Sequence, residues 1–373
     1  MLGIQPLVYP DAAGLPIGGK EYSRYVMLEV HYNNPSKRDD WIDSSGLKLY
    51  YTDHLRKFDV GVLEIGLEYT DKNSIPPSQP SFDMSSYCVS ECTRVGVPEK
   101  GITIFASQLH THLTGIRVWT KHVRGGTEMP ELNRDNHYSQ HFQEIRILKH
   151  AVQLLPGDAL INYCRYDTRS RSNVTLGGFA IREEMCVNYL HYYPKAELEV
   201  CKSSIDTRFL RRYFGYMRDF NSDSTTDDLG VKGIADNYRS VRWSQNKVRT
   251  LKKIYDSAPL SMQCNRSSGQ RFPVSVLLPL GTHTHTDTHS RCLLHHFPVT
   301  TCPYSHAVAV TSSCANLLTS DLFLVLSLPL SPSLSPTSFC SGAPPFSLQG
   351  NWEGVPVTRI YAPLTGVKRS CRS

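Results

Sequence analysis

The sequence predicts an all-β fold, a β-sandwich that is followed by a short helical segment. Short runs rich in β-branched and aromatic residues recur through the first two hundred residues, and Gly, Pro, Asn and Asp separate them. This spacing is typical of two packed antiparallel sheets. The runs predicted to form strands are Tyr25–Tyr32, Leu47–Thr52, Val60–Tyr69, Ile102–Leu113, Ile116–His122, Ala159–Tyr163 and Met185–Tyr193.

A change of period after the last of these runs predicts helices. Between Ile205 and Phe220 the apolar side chains recur at helical spacing, and Asn246–Tyr255 repeats the pattern over a shorter stretch. We therefore expect the sandwich to be followed by a helical C-terminal region.

The composition excludes several classes of protein. The chain has 373 residues, 40% hydrophobic and 20% charged, so two domains are possible and whole-chain disorder is excluded. The absence of a run of about 18 apolar residues predicts no transmembrane segment. The first residues lack the pattern of a signal peptide. A net charge of +6 is too small to imply nucleic acid as a partner.

The segment Val274–Ser347 differs from the rest of the chain because it is rich in Ser, Thr, Pro and Leu and almost uncharged. We expect a disordered foreign insert there, as a retained intron would encode. The rival interpretation is a metal-binding tract, although no structured surroundings are predicted to support it. The ligand-type side chains of that tract are His283, His285, Asp287 and His289.

Two histidines in the run ITIFASQLHTHLTG are the first candidates for chemistry. If the run is one strand, Ile102, Ile104, Ala106, Gln108, His110 and His112 share a face. Two imidazoles on a rigid strand can bind one copper, zinc, iron or nickel ion. A pair of structural histidines is the alternative, and the pattern alone leaves both open.

A second run, REEMCVNYLHYY, places Met185 and Tyr189 on one strand face. By itself Met185 is better explained as a core residue, but a thioether added to two imidazoles would select copper, Cu(I) especially. For Tyr189, a core aromatic residue is as good an interpretation as a residue of the site. The pattern around His31 in LEVHYNNP, taken alone, favours a hydrogen-bonded structural histidine over a metal ligand.

Five segments carry a family resemblance: SRYVMLEVHYNNP, SSGLKLYYT, FASQLHTHLTG, DNHYSQHFQEIR and GGFAIREEMCVNYLHYYP. They closely resemble the copper type II, ascorbate-dependent monooxygenases, from about Val8 to Phe272. The resemblance implies two jelly-roll-like β domains with one copper in each. The implied divisions are a remnant of the first copper domain (1–38), the second copper domain (39–204), a helical region (205–273), the insert (274–347) and a tail (348–373).

The resemblance also implies a ligand for each copper. His110, His112 and Met185 match the oxygen-binding copper site, at which His110 and Tyr189 are the expected catalytic residues. His31 matches one ligand of the electron-transfer copper. No histidine precedes His31, so we expect two coppers in a full-length subunit and one here, with most of the first domain and any signal or anchor missing.

The activity implied by the resemblance is hydroxylation of the benzylic carbon of dopamine to give noradrenaline, with O2 as oxidant and ascorbate as electron donor. This chain by itself is expected to be incomplete and inactive. The alternatives are a related phenylethylamine monooxygenase and a non-catalytic copper-binding β-sandwich. The resemblance further implies a homo-oligomer and a secretory-vesicle or extracellular location, although a covalent dimer is in doubt.

Oxidised cysteines and glycans fit that location. The resemblance implies the disulfides Cys88–Cys201, Cys164–Cys186 and Cys92–Cys264. The sequons NVT and NRS make Asn173 and Asn265 candidate glycosylation sites if the chain enters the secretory route.

Overall fold

The computed structural model describes residues 7–18, 22, 25–32, 39–40, 42, 49–220 and 233–273, with the strands 307–313, 320–327 and 357–363. The strands are β1 (Ala13–Gly14), β2 (Tyr25–Tyr32), β3 (Phe58–Asp59), β4 (Gly61–Leu67), β5 (Phe82–Cys88), β6 (Ile102–His110), β7 (Gly115–Arg124), β8 (Thr127–Glu128), β9 (Asn133–Asp135), β10 (Arg146–Leu154), β11 (Ala159–Tyr166), β12 (Val187–Tyr193), β13 (Leu198–Ile205), β14 (Leu260–Arg266), β15 (Ala307–Ser313), β16 (Ser320–Ser327) and β17 (Val357–Pro363). The helices are α1 (Ser90–Gly96), α2 (Thr207–Phe220), α3 (Ile234–Ser240) and α4 (Gln245–Ser257).

Two sheets form the sandwich, which confirms the predicted all-β fold. The larger sheet has the order β10-β6-β12-β4-β13-β14, and only its β13–β4 pair is parallel. The smaller sheet has the order β5-β11-β7-β8, with β9 also paired to β7. The strand β6, which ends at His110, and the strand β12, which begins two residues after Met185, are neighbours in the interior of the larger sheet.

The main core lies between the sheets because alternate residues of each strand point inward. Leu190 and Tyr192 of β12 are at most 1% exposed and pack in one cluster with Leu63 of β4 and Leu160 of β11. The intervening residues of β12 therefore face outward, on the side of the larger sheet that does not contact the smaller one.

Three disulfides join these elements, and they are the three pairs that the resemblance implies. Cys164–Cys186 connects β11 of the smaller sheet to the residue just before β12. Cys88–Cys201 and Cys92–Cys264 connect β5 and α1 to two adjacent strands of the larger sheet. The strand that carries Tyr189 is thus attached covalently at its inner face.

A β-bulge corrects the expectation that Ile102, Ile104, Ala106, Gln108 and His110 share one face. Ala106 is opposite His191 on β12, but Ile104 is opposite Tyr192, so Phe105 is an extra residue in its strand. Ile102 and Ile104 accordingly pack in the main core, whereas Phe105 and Ala106 belong to a separate outer cluster. His112 also lies beyond the end of β6 rather than within the strand.

The sequence-based strand list was wrong at one run and incomplete at others. Leu49–Thr52 is irregular, and Tyr50 is 76% exposed, because this short run has no neighbouring strand in the described residues. The pattern missed β5, β10, β13 and β14. Polar residues at alternate positions of β5 and β14, and at four of the nine positions of β10, hide their strand character.

The two predicted helices are present as α2 and α4. Leu210 and Phe214 of α2 and Leu251 of α4 are completely buried in one cluster with residues of both sheets. The short helix α3, which the sequence did not predict, joins the same cluster through Tyr238. In the described part of the chain, no helix is long and apolar enough to cross a membrane.

The strand β2 belongs to a separate four-stranded sheet with the order β15-β16-β2-β17. Two of its strands, Ala307–Ser313 and Ser320–Ser327, fall within the segment that the sequence predicts to be an unfolded insert. Their β-branched and aliphatic residues are compatible with strands. The Thr-His tract of that segment lies outside the described residues.

Candidate metal centre

The two histidines of the HTH sequence lie side by side at the end of β6. His110 is its last residue and is opposite Val187 of β12, while His112 follows in the loop that leads to β7. The ring centroids are 5.2 Å apart and the ring planes are almost perpendicular, at 87°. Both residues are buried, with exposed fractions of 9% and 5%.

Each imidazole is oriented through its Nδ1 atom. The Nδ1 of His112 donates to the carbonyl oxygen of Glu183 at 2.9 Å. The Nδ1 of His110 contacts Oε1 of Gln143, whose own amide nitrogen donates to the carbonyl of Gln140 at 2.7 Å. Because that second bond fixes the amide orientation, Oε1 acts as the acceptor and both rings are Nδ1–H tautomers. The lone pair of each ring is therefore on Nε2, the atom available to a metal.

Burial keeps both imidazoles neutral. Desolvation is the largest cause that lowers the pKa of His110 to about 4 and that of His112 to about 3. Metal ions bind the neutral form of histidine. The pair is therefore ready to bind a metal at neutral pH without first losing a proton.

Met185 lies beside β12, with its side chain on the outer face of the larger sheet. It is 8% exposed and forms one cluster with Val187 and Tyr189, against Val62 and Tyr69. The carbonyl oxygen of Met185 accepts a hydrogen bond from the hydroxyl of Tyr166 at 2.7 Å. Met185, Val187 and Tyr189 therefore share one face in the structure, as strand alternation predicts.

A buried carboxylate joins the two segments that carry the candidate ligands. The Oε2 of Glu184 accepts from the backbone nitrogens of His112 at 2.9 Å and of Met185 at 3.3 Å. Its Oε1 accepts from the backbone nitrogen and the hydroxyl of Thr114 at 2.6 and 2.7 Å. Burial, the largest cause, raises the pKa of Glu184 to about 7, although these donors oppose the shift. The sequence analysis missed both Glu184 and Gln143.

The ring of Tyr189 lies near this pair, with its centroid 6.4 Å from that of His110. Its hydroxyl is 3.5 Å from the hydroxyl of Tyr69, which donates to the carboxylate of Glu64. The ammonium of Lys202 pairs with Glu64 at 2.5 Å and lies over the ring of Tyr69. Burial raises the pKa of Tyr189, so its phenol remains protonated and can donate a hydrogen bond.

A tight turn at residues 177–184 extends this aromatic group to the surface. Phe179 at its tip is 47% exposed and packs edge-on against Tyr69 at 4.7 Å. A side chain at Gly178 would displace the carboxylate of Glu183, because an added Cβ would lie 1.9 Å from its Oε2. The same turn supplies the carbonyl that orients His112.

The other candidate residues are not part of this group. His31 lies on β2 with Asp321 and Val357 as its backbone register partners, but its side chain is outside the described residues. Of the two sequons, Asn173 is exposed, whereas Asn265 is 5% exposed on β14.

The donor set of the site fits copper. Two neutral imidazoles suit several transition metals, but a thioether ligand favours Cu(I). In the described ranges, the one further cluster of possible ligands is Cys88, Cys92 and Cys201, whose sulfurs are in disulfides. The residues around His110 therefore provide the stronger candidate for a metal centre.

Comparisons with known proteins agree with this chemistry. The profile of the copper type II ascorbate-dependent monooxygenase C-terminal domain matches residues 58–214, and the profile of the N-terminal domain matches residues 1–39. Dopamine beta-hydroxylase from Bos taurus is 50% identical over 271 residues, which are 73% of this chain and 44% of the relative. The Homo sapiens protein of the same name is 49% identical over the same shares of both chains.

A relative with a different printed substrate is nearly as similar. Tyramine beta-hydroxylase from Caenorhabditis briggsae is 45% identical over 272 residues, 73% of this chain and 45% of the relative. The chain thus spans less than half the length of these curated relatives. On the two profile matches and these identities, the chain belongs to the copper type II ascorbate-dependent monooxygenase family.

Proposed function

We propose that this chain supplies the oxygen-activating copper centre of an ascorbate-dependent monooxygenase that hydroxylates the benzylic carbon of dopamine or a related phenylethylamine. The observation that carries the proposal is the pair of buried, neutral imidazoles of His110 and His112, each held through Nδ1 so that Nε2 is available. The printed names of the relatives support the substrate class.

Three side chains would hold the copper. His110 and His112 would bind it through Nε2, and Met185 through its thioether sulfur. Bound copper supplies one-electron redox chemistry and the activation of O2. Gln143 and Glu183 keep the imidazoles oriented, while Glu184 holds the His112 loop against Met185.

The aromatic group beside the site suits an arylalkylamine. The exposed ring of Phe179 and the half-buried ring of Tyr69 offer apolar surface for a substrate ring. The hydroxyl oxygen of Tyr189, which stays protonated, would accept a hydrogen bond from the ammonium group of the substrate, next to the reacting benzylic carbon. In this proposal Tyr189 orients substrate and takes no part in electron transfer.

Family membership also supports a second copper, an oligomer and an oxidising location. His31 would be one ligand of a second, electron-transfer copper that ascorbate reduces. A homo-oligomer in the lumen of a secretory vesicle or outside the cell would be the functional form. The three disulfides support an oxidising compartment.

The ligand role of Met185 is tested by copper affinity. Met185→Ile keeps an apolar side chain of similar size but removes the sulfur, so Cu(I) affinity should fall about tenfold or more in competition with a colorimetric chelator. Met84→Ile, at a buried methionine of β5, is the matched control and should bind Cu(I) like the wild type. Equal affinities in all three proteins would contradict the proposed site.

The substrate geometry is tested without turnover. Cu(II) bound at the site should broaden the benzylic proton signals of tyramine more than its distant ring signals in a nuclear magnetic resonance titration. The copper-free chain should broaden neither set. A copper-loaded chain that binds copper tightly but leaves tyramine signals unchanged would favour the non-catalytic copper-binding alternative.

A further inference from the structure

A cleft of about 430 Å³ lies between the sandwich and the helical region, away from the metal centre. Gln79 and Asn173 line it from loops of the sandwich, and Arg239, Val241 and Trp243 line it from the helical side. Its volume is within the range of about 300–1,000 Å³ that is usual for sites that hold small molecules. None of its lining residues contributes to the copper site.

Asn173 is the acceptor of the sequon NVT and is exposed at the rim of this cleft. Its backbone direction is fixed two residues later, where Thr175 and Ile75 exchange hydrogen bonds of 2.8 and 2.9 Å. A group attached to the side chain of Asn173 therefore begins at a defined point beside the cleft.

The helical wall of the cleft combines apolar and polar groups. Val241 and Val248 are 5% and 7% exposed and form apolar surface, and the half-buried Trp243 packs nearly parallel to Tyr238, with an interplanar angle of 14°. Arg239 adds a guanidinium group to the lining. A pyranose ring has an apolar C–H face and a polar hydroxyl edge, so a wall of this kind is complementary to a sugar.

We propose that this cleft holds the N-linked glycan of Asn173, with the first N-acetylglucosamine packed against Trp243. Attachment forms a bond between the side-chain nitrogen of Asn173 and C1 of the sugar. It breaks the bond from that C1 to the diphosphate of a polyprenyl-diphosphate sugar donor, and the amide proton is released. The inference rests on the proposed secretory location. The sugar would connect the sandwich to the helical region and stabilise their contact.

The test uses the full 373-residue chain, directed to secretion in cells that make oligomannose glycans. Mass spectrometry of the glycopeptide measures occupancy of Asn173, and endoglycosidase H trims the glycan to one sugar. Asn173→Gln should lower the melting temperature by about 2–4 °C, whereas the trimmed wild type should retain the stability of the untrimmed protein. An unoccupied Asn173, or a trimmed protein as unstable as the Gln variant, would overturn the proposal.

The variant Trp243→Leu shows whether the glycan raises the melting temperature by packing against this ring or by a general effect. In the Trp243→Leu background, the further change Asn173→Gln should no longer lower the melting temperature. Tyr216→Leu, at a 47% exposed aromatic of α2 outside the cleft, is the matched control and should leave the effect of Asn173→Gln intact. Additive losses in the Trp243 background would refute packing against that ring.

A glycosidase rate decides the matter if the Trp243 variant is not secreted. Peptide N-glycosidase F must reach the bond between Asn173 and the first sugar, so cleavage at this site should be at least tenfold slower in the native protein than after denaturation. Cleavage at equal rates in the two states would show that the first sugar is not covered. This outcome would leave the proposed copper chemistry unaffected, because no residue that lines the cleft is a candidate copper ligand.

Discussion

Replacing Glu184 by Gln tests how the copper ligands are held in position. The carboxylate accepts four hydrogen bonds, two at each oxygen, and these connect the His112 loop to the backbone of Met185. A glutamine has the same shape but only one acceptor oxygen, so its amide group must face either Thr114 or the backbone nitrogens of His112 and Met185.

The size of the effect follows from this count. Two buried donors lose their acceptor, and each unsatisfied group costs about 1–3 kcal/mol. Partial relaxation of the loop favours the lower end of that range, so Glu184→Gln should reduce the free energy of unfolding by about 2–4 kcal/mol. Since the displaced segments carry His112 and Met185, Cu(I) affinity should also fall about 10–100-fold.

Both quantities are measured at about pH 8, where a group with a pKa of about 7 is mostly ionised. Urea denaturation of the copper-free chain gives the stability, and competition with a colorimetric chelator gives the Cu(I) affinity. Glu183→Gln is the matched control. Within the described residues its side chain accepts from the backbone nitrogen of Ala180 at 3.0 Å, and its contact to His112 is made by the carbonyl.

Two results would refute this reasoning. If Glu184→Gln binds Cu(I) as tightly as Glu183→Gln and the wild type, the carboxylate does not position the ligands. If both variants lose affinity equally, the cause is the loss of negative charge near the metal rather than the loss of particular hydrogen bonds.

Three further predictions concern pH, disulfides and copper content. Burial lowers the pKa of His191 to about 4, so as the pH falls the unfolded chain binds a proton at this residue before the folded chain does. The free energy of unfolding should therefore fall between about pH 6.5 and 4. The variant His191→Phe should remove up to about 3 kcal/mol of this loss, measured by urea denaturation at the two pH values. Replacing Cys164 and Cys186 by Ala should lower the free energy of unfolding by about 3 kcal/mol, from the entropy of closing a loop of 22 residues, and an unchanged urea midpoint would contradict this estimate. Metal analysis after dialysis should find about one copper per chain, because His31 by itself lacks the preorganised ligands of a tight site; two tightly bound coppers would refute this prediction.

Strand alternation predicts part of the site from the sequence, but one extra residue in β6 makes the prediction fail beyond the site. Tyr189 and His110 are on the outer face, as the period of two requires, because their strands are paired without interruption from Val187 to His191. Beyond that stretch the bulge at Phe105 reverses the pattern. A bulge adds one apolar residue to an apolar run, and nothing in composition marks it.

The groups that orient the ligands could not be predicted for a different reason. Gln143 is 33 residues from His110, and Glu184 is 72 residues from His112. Such contacts depend on how loops pack after the sheets form, and a single sequence contains no pattern at these separations. The family resemblance supplied the ligands and the disulfide pairs, since these are residue types at matching positions, but it did not supply the hydrogen bonds around them.

The position of the candidate metal centre relative to the main core has a consequence for folding. Small metal-dependent domains assemble their ligands only when the metal arrives, so the binding energy drives folding. Here the main core lies on the opposite face of the larger sheet, and the disulfide Cys164–Cys186 is on that inner side. Gln143 and Glu183 orient the neutral imidazoles of His110 and His112 through hydrogen bonds from the protein itself. Since the main core and the disulfides do not include the candidate ligands, we expect bound copper to add to the stability of the fold, and a chelator should lower the melting temperature without unfolding the chain.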